Sequence, residues 1–327
     1  MSGGLLGPYL EKGEWQVQGS FNRYNSDEYF TGTTLRNDLI SVGAAPKEGG
    51  TSLNFQGAYA LTRNINLTAD VPILLDSYWN YRLGGTRHEM KTRGLGDIVI
   101  GGRAWLFNTE KNTKQNLALQ LALRLPTGDS NYQVRYPNGL GQDIKLRAAK
   151  VDIQPGSGAA GLRLAAQGFR RLRYFAVYGN ALYLFSLKEQ NDTYSIMSVL
   201  NPGGPAAVPA NKRYNATPDS YLYNAGASAP VPGLKGLSFS LGSQIAGVPT
   251  FNVLTGSEGY RQPGYLVTLN PGLSLNTKLA SYSINVPVRV YGGILKDFSG
   301  TQQSGNLNKV SLNIGVNFHL GGHKPTK

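Results

Sequence analysis

Leu117-Ala118-Leu119-Gln120-Leu121-Ala122-Leu123-Arg124-Leu125 alternates large apolar side chains with small or polar ones. Successive side chains of a β-strand point to opposite faces. As a strand, this segment therefore has a row of leucines on one face and Ala118, Gln120, Ala122 and Arg124 on the other. Two further stretches read the same way. Leu53, Phe55, Tyr59 and Leu61 interleave with Ser52, Asn54, Gln56 and Ala58. Val310, Leu312, Ile314, Val316, Phe318 and Leu320 interleave with Ser311, Asn313, Gly315, Asn317 and His319.

Extending the pattern along the chain gives twelve strands, at 14–24, 51–61, 65–75, 94–107, 116–126, 151–166, 172–185, 219–230, 237–247, 264–276, 280–291 and 309–320. The gaps after odd-numbered strands are long: 25–50, 76–93, 127–150, 186–218, 248–263 and 292–308. Those after even-numbered strands are short turns. A soluble β-sandwich has no reason to alternate its loop lengths. A transmembrane barrel has tight periplasmic turns, long outer loops and an even number of strands. The expected fold is therefore all-β, a single transmembrane antiparallel up-and-down β-barrel over residues 14–320. Residues 1–13 are expected as a periplasmic lead or small plug, and 321–327 as a polar tail.

Composition agrees. Glycine (42) and tyrosine (19) suit strands, turns and aromatic girdles, and Trp15, Trp79 and Trp105 are expected in girdle or wall. No segment reaches the roughly 20 apolar residues of a membrane helix. The mean hydropathy of -0.27 fits a barrel, where only alternate strand residues meet lipid. With no cysteine, disulfides and thiolate sites are excluded. A formal charge of +13 raises nucleic acid as a partner, but the Lys and Arg residues are scattered, with no basic helix or run, so none is expected. The charge fits a positive lumen, or loops that meet anionic lipopolysaccharide beside outer-membrane lipid. Met1-Ser2-Gly3-Gly4 opens without a charged segment followed by an apolar one, so the export signal is expected to lie outside this chain.

The alternation assigns the lumen. Ile98, Ile100, Ala104 and Leu106 form an apolar row that turns Arg103 inward. The leucine row turns Arg124 inward, and Leu162 with Leu164 does the same for Arg163. Ile284, Val286, Val288 and Val290 put Asn285 and Arg289 inside. An arginine facing lipid at mid-membrane costs about 2–4 kcal/mol, which favours the inward side. Asn54, Gln56, Asp70, Gln120, Asn270 and Asn313 complete the candidate pore lining, within a wider wall of Asn66, Thr68, Asn224, Ser238, Ser240, Gln244, Thr268, Ser274 and Asn317. With twelve strands the lumen is expected to be narrow. Two roles stay open for the arginines: guiding an anionic solute, or pairing with Asp70 or Asp97 inside a packed interior. Residues 172–185 show no polar face.

Catalytic chemistry is not legible. His88 falls in a long loop, His319 at the end of the last strand and His323 in the tail, none with a Ser placed for a nucleophilic pair. Asp76, His88 and Asp129 meet at a rim only by selection. Gly94-Leu95-Gly96-Asp97 lacks the Gly-Lys-Ser/Thr of a phosphate loop and opens a strand. No His/Cys cluster has metal spacing. Neither an enzyme nor a cofactor or metal site is expected.

Five segments carry a family resemblance: Phe21–Gly32 (FNRYNSDEYFTG), Gly94–Gly102 (GLGDIVIGG), Leu121–Ser130 (LALRLPTGDS), Asp152–Gly158 (DIQPGSG) and Gly247–Tyr265 (GVPTFNVLTGSEGYRQPGY). In this order they resemble the Gram-negative outer-membrane barrels named for transport in the MetA pathway of phenol degradation. The resemblance implies uptake of aromatic or other small hydrophobic compounds and supplies no substrate pocket. The same motifs also read as architecture, since Pro126-Thr127-Gly128-Asp129 ends a strand and Gly259, Pro263 and Gly264 bend a loop into the next one. The expected function is a channel or transporter for passive passage of small solutes, anionic or aromatic. The alternative is a closed structural barrel whose loops dock a surface or envelope partner.

Overall fold

A computed structural model of the chain describes residues 9–83, 85–277 and 279–321. Of the expected tail at 321–327 all but Gly321, and of the lead residues 1–8, lie outside the described residues. The fold is a closed antiparallel barrel of twelve strands. They are β1 (Trp15–Ser26), β2 (Lys47–Ala60), β3 (Ile65–Leu83), β4 (Val99–Trp105), β5 (Gln115–Arg124), β6 (Gly161–Arg171), β7 (Ala176–Ser186), β8 (Ser220–Pro230), β9 (Leu237–Val248), β10 (Gly264–Asn276), β11 (Ala280–Asn285 with Val288–Ile294) and β12 (Val310–Leu320). Each strand pairs with the next, and β12 returns to β1 in register from Trp15↔Leu320 to Asn25↔Val310. Closure matters because an unpaired backbone group in hydrocarbon costs several kcal/mol.

The alternation read in β5 sorts the two faces. Leu117, Leu119, Leu121 and Leu123 stand exposed on the outer wall, while Ala118 and Ala122 are buried inside. Strand β11 is broken at Val286 and Pro287, because proline has no N–H for the ladder.

The outer loops are folded, which the alternation did not foresee. Residues 76–93 continue β3 as far as Leu83 and return as the strand Thr86–Leu95, a hairpin beyond the expected barrel end. Its Trp79, Leu83 and Met90 bury against Tyr136, Ala148, Ala149, Ile153, Ile196 and Val199. Trp79 therefore belongs to a small apolar core above the barrel, not to a girdle. Residues 151–153 form a 3₁₀ turn that sends Ile153 into this core, so β6 begins at Gly161 and not near 151. The following turn moves to 172–175, where the Leu172 amide donates to the Phe175 carbonyl (2.7 Å). These contacts join segments distant in sequence, so no local period announces them.

Candidate lumen site

Strands β1 to β8 and β12 wall an internal cavity of about 200 Å³. Gln16, Gln18, Ser20 and Asn22 of β1 face it, with Asn54 and Gln56 of β2 and Asn66, Thr68 and Asp70 of β3. Arg103 and Trp105 of β4, Gln120 of β5, Arg163 and Gln167 of β6, Asn180 and Leu182 of β7, Leu222 and Asn224 of β8 and Asn317 of β12 continue the wall. Residues 172–185, with no polar face in sequence, thus supply Asn180, Ala181 and Leu182 to the cavity wall.

The polar groups form a partial network. Arg163 donates to the Asp70 carboxylate across the lumen. Gln120 Nε2 donates to Thr68 Oγ1 (2.8 Å), and Asn180 Nδ2 to Asn224 Oδ1 (2.8 Å). With the Asn66 amide turned, its oxygen accepts from Arg103 Nη2 at 3.0 Å. The Arg103 guanidinium also lies 5.9 Å from the Trp105 ring centre, within cation–π range. At one end, Leu10 packs on Ala58 and Ala60. Tyr9 meets Trp105 edge-on at 5.1 Å and donates to the Asn112 carbonyl (2.7 Å).

Of the candidate lining residues, Asn54, Gln56, Asp70, Arg103, Gln120 and Arg163 lie on this cavity. Asn270, Asn285 and Asn313 surround a second void of only about 10 Å³, with Tyr178 and Gln244. Arg124 and Arg289 line neither. Arg289 is held by Glu28, by the Leu307 carbonyl (2.7 Å) and by the Phe30 ring (4.6 Å), which makes it an anchor for the loop after β1. Arg124 Nε lies 3.9 Å from Asp97 Oδ2.

Asp97 also explains three glycine-rich motifs. Its carboxylate accepts from the Gly128 amide (3.1 Å), the Ser157 amide (2.9 Å) and the Ser157 hydroxyl (2.6 Å). Residues 94–97, 126–128 and 155–158 therefore meet in one knot at the outer end of β4, β5 and β6. A Cβ on Gly156 would stand 2.2 Å from the Gly128 carbonyl oxygen, so glycine is needed for the close approach. Sequence reasoning also passed over Gln16, Gln18, Ser20 and Asn22, although they alternate with Val17, Gly19 and Phe21.

No family model and no curated protein matches the chain. Among solved structures, the COG4313 outer membrane channel from Pseudomonas putida F1 aligns over 96% of this chain and 98% of its own, with a TM-score of 0.60 at 12% identity. At that identity the likeness is one of fold. The Ralstonia pickettii toluene transporter TbuX covers 97% of this chain and 92% of its own, at 10% identity and a TM-score of 0.42, too low to carry weight. In fold, the chain is like that outer membrane channel: a closed antiparallel β-barrel of twelve strands. Among the described residues, no group of three His, Asp or Glu side chains is placed to hold a metal ion.

Proposed function

We propose that the barrel is an outer-membrane channel or transporter for passive passage of small solutes, anionic or aromatic in kind. The observation that carries this reading is the cavity itself. Its wall is rich in amides and carries two arginines against one aspartate, with Trp105, Leu182 and Leu222 as apolar ground. The polar wall favours anions, and the apolar ground gives an aromatic body a surface, in line with the resemblance to the phenol-pathway barrels.

The test is single-channel conductance of the refolded protein in a planar bilayer, with reversal potentials in a salt gradient. Steady anion-selective current, reduced when Arg103 and Arg163 are neutralised, is the expected result. A heat-modifiable barrel that carries no current would remove the channel reading. The second reading would then take its place: a closed barrel whose loops dock an envelope partner. Leu10 and Tyr9 at one end and the folded loop core at the other favour it, with residues 9–13 acting as a small plug.

A further inference from the structure

A buried arginine whose N–H groups lack partners is costly, because a desolvated donor loses its water without compensation. Three inward arginines on neighbouring strands are in that state. Arg103 Nε, Arg163 Nε, and Arg124 Nε and Nη2 are buried with no hydrogen-bond partner among the described residues. The nearby acids do not balance all three: Arg163 pairs with Asp70 and Arg124 with Asp97 at 3.9 Å, and Arg103 forms no ion pair among the described residues. Asp70 serves Arg163, and the Asp97 carboxylate already takes three hydrogen bonds from Gly128 and Ser157.

The strand register orders these arginines. Arg103 on β4 stands opposite Gln120 of β5. Arg163 on β6 stands opposite Ala122, and Arg124 lies two residues further along β5. The three therefore rise from the cavity toward the outer loops in steps of two residues, about 6.7 Å each. The lower two line the cavity, where Asp70 is the one acid, leaving a single net positive charge. Trp105, Leu182 and Leu222 share the same wall.

We propose that the wall formed by β4, β5 and β6 is a stepped binding track for a carboxylate-bearing solute, seated between Arg103 and Arg163 with its apolar body against Trp105, Leu182 and Leu222. A planar guanidinium matches a carboxylate in geometry, and one monoanion neutralises the cavity. The cavity of about 200 Å³ limits the solute to a small acid. This assignment deepens the channel reading and rests on it for access to the lumen.

The test is calorimetric titration of benzoate, with benzamide as the uncharged control, into the folded barrel in detergent, run beside conductance in the same preparation. One benzoate per barrel is expected, bound about tenfold or more tightly than benzamide, the difference that one charge-assisted hydrogen bond supplies. Arg103→Gln is expected to weaken benzoate by about tenfold or more. Asp70→Asn is expected to tighten it, because Arg163 is released, and this gain cannot come from misfolding. Equal binding of benzamide, or no benzoate binding by a barrel that conducts, overturns the site and leaves the channel. Benzoate binding that follows both variants without any current supports the site and overturns the channel reading.

Discussion

Lys150 Nζ lies 2.8 Å from Glu48 Oε2 and 2.5 Å from Asp152 Oδ2, joining a loop lysine to a carboxylate on β2 that is 102 residues away in sequence. The lysine and Glu48 are shielded, with side chains 5% and 13% exposed, while Asp152 sits at the edge of the pair with 34%. It fastens the folded outer loops to the barrel beside the core of Trp79, Met90, Tyr136 and Ile153.

Removing one partner of such a pair leaves an uncompensated buried charge, at about 3–5 kcal/mol. Lys150→Ala should therefore loosen the outer loops while β1 and β12 still close the barrel. Limited proteolysis should nick residues 127–160 much faster than in the parent protein, with heat-modifiability on gels retained. Burial works against the Lys150 charge, but Asp152 and Glu48 outweigh it and hold its pKa above the usual lysine value. A raised pKa gives stability that is present below the unfolded value and lost only as pH rises through the folded one. Loss of the Lys150 charge should therefore not speed proteolysis of this loop until the pH passes about 10.

The Asp97 knot makes a separate prediction. Asp97→Ala leaves the Gly128 and Ser157 amides and the Ser157 hydroxyl without their acceptor, and frees Arg124. Hydrogen bonds to a charged group contribute about 1.5–3 kcal/mol each. The variant should unfold at clearly lower urea than the parent. Gly156→Ala should do the same for a steric reason, since its methyl would meet the Gly128 carbonyl and backbone would have to shift. Parent-like urea midpoints in both variants would show that the three motifs do not hold the outer end together.

The barrel was legible because its two strongest signals are local and periodic. The alternation in Leu117–Leu125 and Val310–Leu320 fixes which side chains meet lipid, and the alternating loop lengths fix the topology. The lumen was legible in part for the same reason, since Arg103, Arg163 and Asp70 follow from parity alone. What parity cannot supply is height along the strand and the partner that arrives from elsewhere. Arg289 faces inward by its row, yet Glu28 and Phe30 from the loop after β1 take it up. Ile153 reads as part of a strand because Val151, Asp152, Ile153 and Gln154 alternate apolar with polar, and only the meeting of distant loops makes it core.

The pair Lys212–Asp297 at 2.8 Å ties the loop between β7 and β8 to the loop between β11 and β12. Burial opposes the Asp297 charge, but Lys212, the Ser299 hydroxyl and the Thr301 amide outweigh it and hold its pKa below the usual carboxylate value. A lowered pKa gives stability that is present above the unfolded value and lost as pH falls through the folded one. Cleavage in residues 295–303 by an acid-tolerant protease should rise below about pH 4. Asp297→Asn should show the raised cleavage already at neutral pH and lose the acid dependence. An acid response that survives this substitution would place the sensitive group elsewhere.

Gln120 and Leu121 are neighbours in sequence and opposite in environment. Leu121 is 56% exposed on the outer wall, whereas Gln120 faces the cavity and donates to Thr68. An arginine on the lipid side near mid-membrane costs about 2–4 kcal/mol, and the lumen side escapes that term. Leu121→Arg should therefore lower the urea midpoint of the barrel in lipid vesicles far more than Gln120→Arg, although the two changes introduce the same side chain one position apart. Gln120→Arg forgoes one neutral hydrogen bond, worth about 1 kcal/mol, and adds a positive charge beside Arg103. Setting the lost hydrogen bond against the lipid cost leaves about 1–3 kcal/mol between the two variants, a gap that repulsion from Arg103 narrows. Equal losses would mean that residue 121 does not face hydrocarbon.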